Sequence, residues 1–166
     1  MLIQKTDLPL VAMDFMNEVH LEDVDMLNTL NNKLITYEAE PSPEGKEDIC
    51  DYCEKWYQHT ISHFNGEEVE MQRTQFPPYF VHKNEHDNFL AVLRAEIDNF
   101  NKNANPIALQ KFIALEVVPW FIQHIRTMDT VTAMFLKNGV SLFRGNSVKA
   151  TRSEADRKST RLNSSH

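Results

Sequence analysis

Three clusters of helix-breaking residues constrain this chain more than any other feature. PSPEG (41–45), FPP (76–78) and NKNANP (101–106) each end a helix, and the stretches between them are interrupted by only Gly66 and Pro119. The intervals predict helices from Asp14 to Tyr37, Lys46 to Arg73, Tyr79 to Asn101 and Ile107 to Lys137, the last closing at Asn138-Gly139. Apolar residues recur at three and four: Val24, Leu27, Leu30 and Leu34 in the first stretch, Leu90, Leu93, Ile97 and Phe100 in the third. Four helices of roughly 20 to 30 residues with short connections predict an all-α, antiparallel up-down four-helix bundle. The first dozen residues, with Pro9, read as an extended arm. Pro119 cannot donate to the carbonyl four residues back and predicts a kink in the fourth helix.

With 166 residues, 42% of them hydrophobic, the chain is long and apolar enough for one core. Residues 156–166, DRKSTRLNSSH, resemble the translation of a sequencing adapter without a mismatch and read as an artefact; 144–155 is a C-terminal segment of uncertain status. The formal net charge is −7, and removing Arg157, Lys158, Arg161 and Asp156 makes it more negative. An acidic chain without a basic run is a poor binder of nucleic acid or anionic membranes. No apolar run approaches the roughly 18 residues of a membrane span. The opening MLIQKTDLPLVAMDFM lacks a signal-peptide layout, so a cytoplasmic location is expected. Cys50 and Cys53 form an isolated CxxC with no second pair and read as two reduced cysteines on a helix.

The histidines fall on the wrong face for a solvated surface. His20 precedes Val24 and Leu27 by four and seven residues; His63 and Glu67 are one turn apart, as are His82 and His86; His124 sits within PWFIQHI. An unpaired polar group in a core costs roughly 1–3 kcal/mol. One such residue is most simply a satisfied core histidine. Five, spread over four helices and joined by carboxylates, point to a metal centre of iron, manganese or zinc. Asp129 follows His124 by five residues, about 140° around a regular helix. Sharing a face therefore requires either a sideways reach or a locally overwound or bulged helix. The other charges of the 63–86 stretch (Glu68, Glu70, Arg73, Lys83, Glu85) read as the solvated face.

One histidine on the first helix, HFNGE (63–67), HKNEH (82–86) and HIRTMD (124–129) together resemble the hemerythrin and bacteriohemerythrin family over roughly residues 9–137. The resemblance implies a hemerythrin-like domain over 1–143, including its arm, that holds two non-heme iron ions. His82, His86 and His124 would hold one iron, and His20 and His63 the other. Glu67, Asp129 and a solvent-derived oxo or hydroxo group would bridge them. It also implies that dioxygen binds reversibly at an open position on the second iron, for storage, transport or sensing. Phe64, Trp120, Phe121 and Ile125 adjoin the ligands and would wall the oxygen pocket; ordinary core packing would place them equally well.

The chain departs from the family pattern twice. Phe121 stands where the family more often has leucine, and MNEVHLEDVDMLN lacks the Gln-His pair common in bacterial members. His59, four residues before His63, is a surface residue, an outer partner or a replacement for His20. The competing functions are a di-iron oxidase or peroxidase, a nitric-oxide-handling enzyme, and a bundle without metal. A histidine-rich site without paired ExxH motifs favours binding over oxygen activation, so an oxygen-binding protein rather than an enzyme is expected.

Overall fold

The computed structural model describes residues 1–139, and within them every regular element is helical. The segments 140–143, 144–155 and 156–166 lie outside the described residues. Four long helices follow the arm: α1 (Asp14–Ala39), α2 (Pro43–Arg73), α3 (Tyr79–Asn103) and α4 (106–139). They form the expected four-helix bundle. α1 packs on α2 and on the start of α4, and α3 packs on both α2 and α4.

The breakers act at helix starts as well as ends. α2 begins inside PSPEG rather than after it: the Ser42 side chain accepts from the Gly45 amide at 2.9 Å, and Pro43 occupies the first turn, where its missing N–H is no loss. Asn105 and Pro106 repeat the device for α4, with Asn105 accepting from the Ala108 amide at 3.2 Å. Between α2 and α3 the chain reverses through Gln75, at a left-handed φ of 56°, and the Phe76 amide donates to the Met71 carbonyl at 2.9 Å.

The arm is docked rather than free. Asn28 of α1 accepts from the Leu2 and Ile3 amides and donates to the Ile3 carbonyl at 2.8 Å. Asn17 makes the same two-way pairing with the backbone of Val11. Ile3, Leu8 and Val11 are thereby buried in the apolar core.

α4 is α-helical over Pro106–Phe112 and Val118–His124 and again over 130–139, but Ile113–Val117 and Ile125–Asp129 are π turns. The first ends two residues before Pro119, which widens the helix where the proline ring would meet a carbonyl. The second spans the His124-to-Asp129 interval. An i→i+5 turn restores the shared face that a regular helix denies to a spacing of five. Of the two geometries the sequence left open, the helix takes the bulge.

The buried stripe of each helix changes character along its length. It is apolar towards the end of α1 and the start of α2 (Leu27, Leu30, Leu34, Ile49), and polar at the opposite ends: His20 early in α1, Glu67 late in α2, His82 early in α3 and Asp129 late in α4. Because the helices alternate in direction, all four polar ends lie at one level of the bundle.

Candidate metal centre

At that level seven side chains form two sets. One comprises His82, His86, His124, Glu67 and Asp129; the other comprises His20, His63, Glu67 and Asp129. Within each set the ligating atoms lie within 4.8 Å of one another, and all seven residues are buried.

The two shared carboxylates divide their oxygens between the sets. Glu67 Oε1 lies 3.3 Å from His86 Nε2 and 3.5 Å from His82 Nε2, while Oε2 lies 3.0 Å from His63 Nε2 and 4.0 Å from His20 Nε2. Asp129 Oδ1 is 3.1 Å from both His82 and His124 Nε2, and Oδ2 is 3.0 Å from His20 Nε2. Neither Glu67 Oε1 nor Asp129 Oδ1 has an aligned hydrogen-bond donor. Buried acceptors this close to imidazole nitrogens without donor alignment converge on a common point. A cation at each point would satisfy them, so the donor set fits two metal ions.

The outward nitrogens fix the rings. The Nδ1 groups of His82, His86 and His124 pair with Thr132 Oγ1 (2.7 Å), Glu68 Oε2 (3.0 Å) and Glu85 Oε1 (2.7 Å). His63 Nδ1 faces Asp23 Oδ2 at 2.8 Å. An Nδ1 proton given outward leaves the Nε2 lone pair turned inward and raises its basicity. His20 Nδ1 alone among the five has no partner.

Glu68 and Glu85 correct the sequence reading, which placed them on the solvated face. Their side chains are only 15% and 30% exposed, and both reach across helix gaps to histidines of the cluster, His86 and His124. Helical phase missed them because a glutamate about 100° from the core axis can still span to a neighbouring helix. Asp23 was also missed. The available signal was its place three residues after His20, on nearly the same face.

His59 lies behind His63 rather than among the inward atoms. Its Nε2 sits 2.9 Å from Asp23 Oδ1, and its side chain is 24% exposed. Asp23 is thus held between two imidazoles. Burial alone would raise its pKa, but the adjacent His63 and His59 bring it below the usual carboxylate value.

The metal-free cluster is a mutually compensated set of charges. Burial works against a charged His82, yet the neighbouring Asp129 and Glu67 carboxylates lift its pKa to about 9. Burial also works against charge on His63 and His124, and the carboxylates outweigh it there too. Burial and the Asp129 charge favour a neutral Glu67, but His63 and His82 win and hold its pKa far below the usual carboxylate range.

A small cavity of ≈ 20 Å³ abuts His63. Phe64, Trp120 and Phe121 line it, as do Asp23, Leu27 and Phe89. It holds about one small molecule. Its aromatic walls also brace the clustered histidines: Phe64 stacks on His86 at 3.9 Å, Trp120 stacks on His124 at 4.5 Å, and Phe121 meets His20 edge-on at 5.6 Å. Ile125 is buried but does not line the cavity; it lies one turn beyond Phe121, in the apolar core.

The bacteriohemerythrin of Aquifex aeolicus is 30% identical over 136 residues, covering 82% of this chain and 98% of that one. The chain belongs to the hemerythrin family. The bacteriohemerythrin of Ralstonia nicotianae is 34% identical over 92 residues, 55% of this chain and 66% of its own length. The hemerythrin fold is also found in a crystal structure of wild-type hemerythrin, with TM-score 0.60 and 22% identity over 76% of this chain and 90% of that one. A crystal structure of a leucine-to-phenylalanine mutant matches with TM-score 0.60 and 25% identity over 76% and 89%. No family-wide sequence profile matches the chain.

Proposed function

We propose that this hemerythrin-family chain binds dioxygen reversibly at a non-heme centre of two iron ions, for storage, transport or sensing. The observation that carries the reading is the division of Glu67 and Asp129, each turning one oxygen to either histidine set. In this reading His82, His86 and His124 would hold one iron, His20 and His63 would hold the other, and Glu67 and Asp129 would serve both. Two ferrous ions supply the electrons that reversible dioxygen binding needs.

The chain's own part is to position and exclude. Thr132, Glu68, Glu85 and Asp23 hold the imidazoles by their outer nitrogens. The five-residue set is the more fully furnished. The four-residue set is left with room and abuts the cavity through His63. Phe64, Trp120 and Phe121 keep water out of that side. No described helix is long and apolar enough to cross a membrane. The free Cys50 and Cys53 suit the cytoplasm, whose reducing conditions keep thiols unpaired.

Anaerobic reconstitution with ferrous iron, followed by alternating air and argon, tests the function. A visible band that appears in air and fades under argon over repeated cycles supports a carrier. A second reading, an oxidase, peroxidase or nitric-oxide-handling enzyme, draws on Asp23, a carboxylate in the cavity wall beside His63. It predicts irreversible loss of the band with turnover of an added substrate instead.

A further inference from the structure

The groove between α1 and α2 lies on the outer side of His63. It has a volume of ≈ 210 Å³ and is lined by Glu22, His59, Ser62 and the exposed Gly66, by Phe15, Met16 and Val19 along the α1 wall, and by the buried His63 and Glu67 towards the centre. His63 also lines the inner cavity, so it stands between the two spaces. The inner cavity is walled mostly by aromatic rings; the groove carries a carboxylate and an imidazole at its mouth and a carboxylate on its floor. Glu67 is buried, and its Oε2 lies 3.0 Å from His63 Nε2 on the groove side of the cluster.

These two surfaces suit solutes of opposite hydration. An apolar wall admits an uncharged gas, but it strips a hydrated divalent cation of water with little to replace it, since the one carboxylate there, Asp23, is already engaged by His59 and His63. Glu22, His59, His63 and Glu67, spaced from mouth to floor of the groove, can replace that water in steps. His59 Nε2 lies 3.9 Å from Glu22 Oε2, so a cation at the mouth meets an imidazole and a carboxylate before reaching His63 and Glu67.

Gly66 points the same way. Glycine is among the poorest helix formers, and this one sits in the long interior of α2. No neighbour requires it, since a Cβ there would meet nothing within 4 Å. A larger side chain at 66 would instead overhang the groove above Glu67.

We propose that the α1–α2 groove is the loading port for the divalent metal, with Glu22 and His59 as its capture residues and Gly66 as the gap that keeps it open. The proposal rests on the metal-binding function above. It assigns metal and dioxygen to separate faces of His63.

The test follows Co²⁺ uptake by the metal-free full chain in a stopped-flow spectrometer, then counts Co²⁺ per chain at the end point. Gly66→Leu slows uptake roughly tenfold, a barrier increase of one decade in rate, while the final count matches the parent. The double variant Glu22→Gln/His59→Gln folds around the same core and also slows uptake with an unchanged end point. Asn65→Leu, exposed and outside the groove, takes up Co²⁺ at the parent rate. Parent-like rates in both Gly66→Leu and the double variant overturn the port, as does equal slowing in Asn65→Leu. A parent chain that binds no Co²⁺ or Fe²⁺ overturns the proposed function itself.

Discussion

His82 meets both shared carboxylates and shows how protons compete with metal. Its pKa of about 9 means that the metal-free chain holds a proton there at neutral pH. Metal must displace that proton, so apparent affinity should rise with pH and level off above about 9. Calorimetric titrations at several pH values should show proton release on binding that shrinks across that range. The sign reverses for the metal-free fold. A raised histidine pKa contributes stability that is complete below about 6.5 and lost as pH rises through about 9, whereas the lowered Glu67 and Asp129 pKa values contribute stability lost on acidification. Denaturant midpoints of the metal-free chain should therefore fall on both sides of mildly acidic pH.

Two substitutions test residue roles directly. His20→Ala should remove one metal per chain, whereas His59→Ala should leave the count unchanged, because His59 meets Asp23 and no inward atom. Metal loss in His59→Ala alone would exchange the two assignments. Phe121→Leu should enlarge the cavity, lower stability by about 1 kcal/mol and speed oxidative loss of the oxygenated form as water gains access. Thermal melts and the decay of the visible band read the two effects.

At the scale of elements, the helices were legible because proline and glycine punctuate the chain. Their starts were less so, since Pro43 and Gly45 belong to the first turn of α2 rather than to a loop. The π turn at Ile125–Asp129 left one trace in the sequence, a five-residue spacing between two inward polar residues. The turn before Pro119 was foreseen only as a kink. The docking of the arm was not legible at all: asparagine inside a helix carries no periodic signal, yet Asn28 pairs with the backbone of Leu2 and Ile3. Asn28→Ala should cost roughly 1–3 kcal/mol by leaving those partly buried groups unpaired. The metal count should not change, because the arm contributes no ligand. Urea titration and metal analysis of the same sample check both halves.

Across the whole molecule, antiparallel packing gathers what the sequence disperses. His20 and Asp129 are 109 residues apart and meet at 3.0 Å. The seven inward residues were legible from helical phase and family resemblance together. The outer partners Asp23, Glu68, Glu85 and Thr132 were not, because they act sideways across helix gaps that a one-dimensional pattern does not define. Metal bound in this cluster should stabilise the bundle further. Metal at 100 times its dissociation constant should add about 2.7 kcal/mol per site. The midpoint of thermal unfolding should accordingly rise by several degrees on loading and fall again with a chelator.

The most direct measurement is an anaerobic titration of the metal-free chain with ferrous iron, read as bound iron per chain. Two shared carboxylates between two histidine sets require an end point of two irons, with Glu67→Ala and Asp129→Ala each disturbing both sites. A single iron at saturation, or loss of only one iron in both carboxylate variants, would contradict the bridged centre.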